Sequence, residues 1–578
     1  MNVATPQSGD ETGIGVIDRK WPRAVLPGII IALSGWYLAT IVWDSNLPFS
    51  HDELNFLQEA LRLPAERKIA SYGHGPLLYE ILAGLEVVYY LVLRIAGSVQ
   101  TPFDFLVEVQ SRFGPLYETG RILIALAGVA TVIQVYRLGV IFGGRATGGL
   151  AALLCATNLT FLMMTSMVKE DVFYWFFLLL AMELAWKSSE HQSRRTAAWT
   201  GVAIGCATAA KYFGVFAAPL ALLPAVRSNG RRLREALMLG VIMGAVAGAT
   251  LLILFPFLIT DTAQVLSDLR ETNSRFADIE QDWALYAYIR YHLPNLLGWT
   301  VFIFGGVELV RRLVREPTGP ILLLTAPIMQ FLFVGLRQGF SLSYYAFPLA
   351  LSFFVLAASL AVHIASAAGA TRWRWSAVWI LVAVAMLDSA FLPGAVKYGL
   401  LLTGPETRML ARDVIVSKAR AGDCVLMNVG ILGTNIFGPP LVPTNPPPGK
   451  GAFTRARVIA SERMSGPRFD VRVLDTYQIP AEATRGCEWL VLGRRGQESH
   501  VERGTGPITM AQPTAPAGYT AVTTIEAFPE EHSYFYPLPT TLDYDALRAT
   551  SIGTLWRERA MGPSFDIYRR SSNEPRFE

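Results

Sequence analysis

Along the first two thirds of the chain the apolar positions come in long runs, not in strand-like alternation. The first run, 24–43, follows Arg19, Lys20 and Arg23. It has about the twenty residues needed to cross a bilayer. It also exceeds the apolar region of a secretory signal and lacks a small-residue cleavage site, which predicts a retained helix. Runs at 119–142, 147–166, 171–186, 236–259, 293–313, 318–336, 343–366 and 375–395 predict further crossings.

Segment 199–225 has enough residues for one crossing, yet basic residues flank both of its ends. Lys187, Arg194 and Arg195 precede it, and Arg227, Arg231, Arg232 and Arg234 follow it. Positive charge marks the cytoplasmic side, so the segment is expected to form a hairpin of two short helices turning near Lys211 and Gly214. Counting it twice gives about eleven crossings. Segment 77–97 is apolar too, but it holds Glu80, Glu86 and Arg94, and a crossing there would invert every later loop. It is expected to lie in the outer interface with Tyr79, Tyr89 and Tyr90 at headgroup level.

The polar segments then sort by side. Arg137 with Arg145, Arg311 with Arg312 and Arg315, and Arg372 with Arg374 fall on the inner side. The acidic segments 44–118 and 260–292 fall on the outer side. With residues 1–23 a cytoplasmic tail, an odd number of spans places 396–578 outside, in the periplasm of an inner-membrane protein. From 396 the pattern changes. An amphipathic helix over 403–420 is followed by strands at 424–427, 471–474, 489–492 and 565–568, with a Pro/Gly-rich loop at 438–451. The expected architecture is therefore a mostly α polytopic bundle, 24–395, with a small α/β domain after it.

Composition fits. Of 578 residues, 52% are hydrophobic and 17% charged, against roughly a quarter charged in soluble domains. The net charge of +4 is spread over short loops and gives no case for nucleic acid. Cys155 and Cys206 sit in apolar runs. Cys424 and Cys487 sit at or beside expected strands of an exported domain, where a disulfide forms if the strands are neighbours.

Candidate chemistry lies on the outer side. Ser50 and Glu53 have capping-box spacing, with Asp52 beside them where the chain leaves the first span. The plain reading is a capped helix; ionisable groups at such a place also serve function. Glu170 and Asp171 open the span 171–186 on the same side, either as an ordinary aromatic-belted loop or as part of a shared site. Lys211 at the hairpin tip is a snorkelling lysine or a phosphate ligand. Arg337, before Tyr344 and Tyr345, carries the same two readings. His51 and His74 are too isolated to make a metal site. No cofactor is required, and a divalent metal stays open.

In order along the chain these pieces resemble the polytopic glycosyltransferases of the C-type fold, and within them glycosyltransferase family 39, related to protein O-mannosyltransferases and aminoarabinose transferases. The resemblance rests on His51-Asp52-Glu53, His74-Gly75-Pro76-Leu77-Leu78-Tyr79, Arg121, Phe142-Gly143, Ser166 to Asp171, Gly201 to Tyr212, and Arg337 with Tyr344-Tyr345 and Pro348. Gly75-Pro76-Leu77 stands where the family usually has a Pro-Pro-Leu type element. The resemblance implies a polyprenyl-phosphate-linked sugar as donor, a protein, lipid or polysaccharide acceptor, and the acid after the first helix as base. Asp52, Glu53 and Asp171 are then the catalytic candidates. His74, Glu170, Lys211, Arg337, Tyr344 and Tyr345 are the substrate-binding ones. A transporter or lipid flippase is the competing class; no inverted repeat supports it.

Overall fold

The computed structural model describes residues 24–41, 51–66, 72–112, 114–228, 233–277, 284–315, 324–336, 343–367, 373–388, 390–404, 406–428, 441, 455–456, 459–460, 463, 467–474, 482–493, 515–526 and 564–571. Arg337 lies outside these residues, and so do the side chains of His51 and Asp52.

The membrane module is a helical bundle. Helix α1, Val25–Ile41, is apolar on all sides, and α2, His51–Glu66, is amphipathic. Helices α3, Pro76–Ile95, and α4, Pro102–Ser111, complete the first outer segment. Two apolar runs are then continuous in α5, Gly114–Thr157, which breaks at Gly143 and Gly144. Gly144 has a φ of 84°, a conformation an L side chain strains to adopt, and this lets the chain turn back into the bundle. The break is closed by charge. Arg312 Nη2 donates to the Phe142 carbonyl at 2.6 Å, and the same guanidinium binds buried Glu308 at 2.7 Å. Arg137 and Lys187 both pair with buried Glu183, at 3.0 and 2.6 Å.

After α6, Leu159–Met164, and α7, Asp171–His191, comes the hairpin. Its first arm is α8, Arg194–Ala210; Lys211 is extended; the second arm is a 3-10 segment, Tyr212–Leu222, ending in a short helical turn, Leu223–Arg227. Both basic ends return to the foot of α7. Arg227 stacks 3.6 Å over Trp186 and bonds Ser189 at 2.8 Å, while Ser193 caps α8. Lys211 is thus at the opposite end, as the charge pattern requires.

Helices α9, Leu233–Leu254, α10, Thr262–Ala277, α11, Leu293–Arg315, α12, Thr325–Leu336, and α13, Phe347–Ala367, finish the core. Among the described residues five helices are long and apolar enough to cross a membrane: α3, α5, α9, α11 and the stretch Tyr344–Ala367. Shorter apolar helices cover Val25–Ala39, Tyr212–Arg227 and Thr325–Leu336. The expected run 375–395 is interrupted, since α14, Trp373–Met386, ends before α15, Leu392–Thr403. Helix α15 still packs on the bundle, placing Tyr398, Leu401 and Leu402 against Leu159, Met163 and Met167.

One placement is corrected. Tyr79 is not at headgroup level: it is 3% exposed and packs on Phe56 with centroids 4.9 Å apart. The buried stripe of α3 is Tyr79, Leu82, Ala83 and Glu86, and its outer stripe carries Val88, Val92 and Ile95. By length and composition α3 also qualifies as a crossing helix, so its interfacial placement rests on charge alternation.

The C-terminal domain is a five-stranded sheet of order β2-β1-β3-β5-β4, with β1 Cys424–Asn428, β2 Asp470–Leu474, β3 Trp489–Gly493, β4 Tyr519–Ile525 and β5 Phe565–Arg570. The strands β2, β1 and β3 are parallel, and β5 runs antiparallel between β3 and β4. Alternation sends Val425 and Met427 to one face, where Ala411 and Ile415 of helix α16, Thr407–Lys418, cover them. Leu426, Leu490 and Leu492 face the other side with Cys424 and Cys487, which form a disulfide with Cα atoms 4.4 Å apart. Counting thiols on denatured, non-reduced protein should therefore find the two membrane cysteines, Cys155 and Cys206; four reactive thiols would rule the bridge out. The domain rests on the first outer segment through Ala456 and Ala460 against Val107.

Candidate active site

The end of the bundle at which Lys211 lies gathers titratable side chains from five separated segments. Glu53 enters on the first turn of α2, and Arg121 faces it from α5. Arg121 Nε and Nη2 donate to Glu53 Oε1 and Oε2 at 2.9 and 3.0 Å, with both side chains fully buried. Glu53 Oε1 also accepts from the Val168 backbone N–H at 3.1 Å. The capping partner Ser50 lies outside the described residues; what the structure adds is that Glu53 is the buried partner of a bidentate ion pair with Arg121 and is also bonded to the 165–170 connection. Such a pair fixes geometry as well as charge. It ties the helix that opens with His51 and Asp52 to the residues leading into Glu170.

Three residues on from Val168 the second acidic point is built. Asp171 Oδ1 accepts from Lys211 Nζ at 2.5 Å, and Glu170 Oε1 lies 3.5 Å from the same ammonium. Glu170 Oε1 also takes the His74 Nδ1–H at 3.1 Å. Burial pushes the Glu170 carboxyl up, but Lys211 and His74 outweigh burial and hold it well below the usual carboxylate range. Lys169 covers the Tyr344 ring at 4.0 Å, and Lys211 is 4.9 Å from the Tyr345 ring. The snorkelling reading of Lys211 therefore fails: its side chain is 12% exposed and turned onto two carboxylates.

His74 is aimed by a second layer. The Tyr212 hydroxyl, next to Lys211, donates to the carbonyls of Tyr72 and His74 at 2.7 and 3.1 Å. The Tyr72 N–H donates to Asp268 Oδ2 at 2.7 Å, and its hydroxyl reaches Asp261 at 3.3 Å. Tyr72 thus joins the two long outer segments. Gly75 then passes directly under the end of α8, where a Cβ would overlap the carbonyl oxygens of Ala209 and Ala210. Gly75→Ala should displace His74 from Glu170 and lower kcat/KM by roughly tenfold to a hundredfold, the usual result of a small misplacement. A wild-type rate in that variant would detach His74 from the site.

The structure brings together Glu53, His74, Glu170, Asp171, Lys211, Tyr344 and Tyr345. It adds Arg121 and Lys169, neither of which the sequence singled out for a role, and Gln330, whose Nε2 donates to the Tyr345 carbonyl at 3.0 Å while its Oε1 meets the Tyr174 hydroxyl. A charge inside an apolar run was the signal for Arg121. Metal binding does not fit these residues. Among the described residues no group of three or more His, Cys, Asp or Glu side chains converges, and the Lys211 ammonium occupies the place between Glu170 and Asp171 that a cation would need.

The described residues thus form a helical bundle of membrane-crossing length, with buried acids and cations gathered at one end, followed by a small α/β domain. Residues 74–265 match the model of the dolichyl-phosphate-mannose-protein mannosyltransferase family, a stretch that begins at His74 and includes Arg121, Glu170, Asp171 and Lys211. Solved structures with a similar course include ArnT from Cupriavidus metallidurans bound to undecaprenyl phosphate, at 15% identity and TM-score 0.46, covering 81% of this chain and 92% of that one. The Archaeoglobus fulgidus oligosaccharyltransferase with zinc and sulfate has 11% identity and TM-score 0.44, covering 94% and 88%. The archaeal oligosaccharyltransferase AglB from the same organism, with an inhibitory peptide and a dolichol-phosphate, has 11% identity and TM-score 0.43, also covering 94% and 88%. No curated protein sequence matches.

Proposed function

We propose that this chain moves a sugar from a polyprenyl-phosphate donor to an acceptor hydroxyl at the outer face of the inner membrane, with inversion at the anomeric carbon. The observation that carries the reading is the convergence of His74, Glu170, Asp171 and Lys211, all inside the family-matched stretch, beside the start of the helix that bears Asp52. The leaving group is a phosphate, which departs without a proton, so no acid partner of the kind a hydrolase uses is needed. Asp52 takes the proton from the acceptor hydroxyl. Cations such as Lys169, and Arg337 as the resemblance implies, offset charge as it gathers on the departing phosphate. The acceptor is a hydroxyl of a protein, lipid or polysaccharide in the periplasm, where residues 396–578 also lie.

The test is direct. Purified protein in lipid nanodiscs is given polyprenyl-phosphate mannose and a hydroxyl acceptor pool, and lipids that co-purify with the Asp52→Asn variant are identified by mass spectrometry. A polyprenyl-phosphate sugar in the lipid fraction, with free polyprenyl phosphate released on turnover, is expected. Passage of the lipid across the bilayer without any transfer would make the chain a flippase instead.

A further inference from the structure

Glu170 and Asp171 each spend one carboxylate oxygen on the cations behind them and keep the other unused. Asp171 Oδ1 is taken by Lys211, and Glu170 Oε1 by His74 and Lys211. Asp171 Oδ2 and Glu170 Oε2 are buried and have no hydrogen-bond partner among the described residues. Both residues are 2% exposed. A buried carboxylate oxygen left in this state is costly, and native folds keep one where a further group completes it.

The charge balance says what kind of group that is. Two carboxylates face two ammonium groups, Lys169 and Lys211, so the cluster is formally neutral before His74 is counted. A phosphate would gain little net attraction here, and its oxygens, having no donor to offer, would meet two more acceptor oxygens. Hydroxyl groups are complementary, because each has one proton to donate.

We infer that Glu170 and Asp171 bind hydroxyl groups of the transferred sugar ring through Glu170 Oε2 and Asp171 Oδ2. In this arrangement Lys211 and His74 hold the two acids in position, and the donor's phosphate lies beyond the pair. The inference rests on the donor chemistry proposed above and names which half of the donor this cluster reads. It also gives Lys211 a role the sequence did not suggest: it positions the sugar-reading acids and is not itself the phosphate ligand.

Binding of two lipids to the full chain in nanodiscs tests this. The first is polyprenyl-phosphate mannose and the second is sugar-free polyprenyl phosphate. Asp171→Asn and Glu170→Gln are each expected to weaken the mannose-bearing lipid by roughly 10- to 100-fold, the usual effect of losing a hydrogen bond to a charged group. The sugar-free lipid should bind these variants as well as it binds wild type, or better, since Lys211 then has one countercharge fewer. Equal loss for both lipids would overturn the inference by returning the pair to the phosphate or to folding. A measurement on wild type alone guards against unstable variants: among donors lacking one mannose hydroxyl, at least one should bind more weakly than the parent. If none does, the pair does not read the sugar. If wild type binds neither lipid, the donor assignment itself falls, and this inference falls with it.

Discussion

Arg121→Ala is expected to cost about 3–5 kcal/mol of stability, the usual penalty for leaving one partner of a buried ion pair uncompensated. Glu53 and Arg121 are both fully buried, so removing the guanidinium takes from the carboxylate both charged hydrogen bonds that neutralise it. Glu53→Gln should be milder but still clearly destabilising, because an amide cannot accept a second bidentate bond from the guanidinium and offers a donor to it instead. A helix-capping glutamate, as the local spacing suggested, would tolerate that exchange with little change. Thermal unfolding of the three proteins in the same detergent decides it. Equal midpoints for wild type and Glu53→Gln would show that the charge of the pair adds nothing to stability.

Asp52→Asn is expected to lower single-turnover transfer on the order of 10²–10⁴-fold, the size of a lost general base. The amide keeps the side chain's shape but cannot take up the acceptor's proton. Donor affinity should be largely unchanged, since the sugar is read at Glu170 and Asp171 in the arrangement proposed here. Stability should change little as well, which separates this variant from Glu53→Gln one residue along. Full activity in Asp52→Asn, beside an inactive Asp171→Asn with normal sugar binding, would move the base to Asp171.

Much of the fold was legible because lipid and charge impose simple rules. Apolar runs located the membrane helices, and the basic residues flanking 199–225 were enough to demand the turn that the chain makes at Lys211. The four apolar strands were legible too, whereas the pairing of Cys424 with Cys487 hung on a strand order that only the sheet supplies, β1 beside β3. Strand β4 was not. It is an edge strand of Thr-rich sequence with half-exposed positions and a register shift between Ala521 and Thr523, so it lacks an apolar stripe. The site was legible in its membership and not in its pairing. Ser50 and Glu53 have the spacing of a local motif, while the ion-pair partner of Glu53 lies 68 residues on. Lys211 and Asp171 are 40 residues apart on different helices. Tyr79 has the composition of an interface anchor, yet its place is set by Phe56 across the helix pair. Spacing along one helix reports nearest neighbours; contacts between helices have no such signature.

The tie between Tyr72 and Asp268 spans 196 residues, and that interval has a bearing on biogenesis. During synthesis the first outer segment is exported long before Asp268 leaves the ribosome. In the meantime the Asp268 carboxylate that accepts the Tyr72 N–H is missing, and so at first is the Tyr212 hydroxyl that holds the carbonyls of Tyr72 and His74. The nascent enzyme therefore carries its first acidic loop through most of membrane insertion without a formed pocket. The position of His74 against Glu170 should therefore be fixed only after residues through Asp268 have been made.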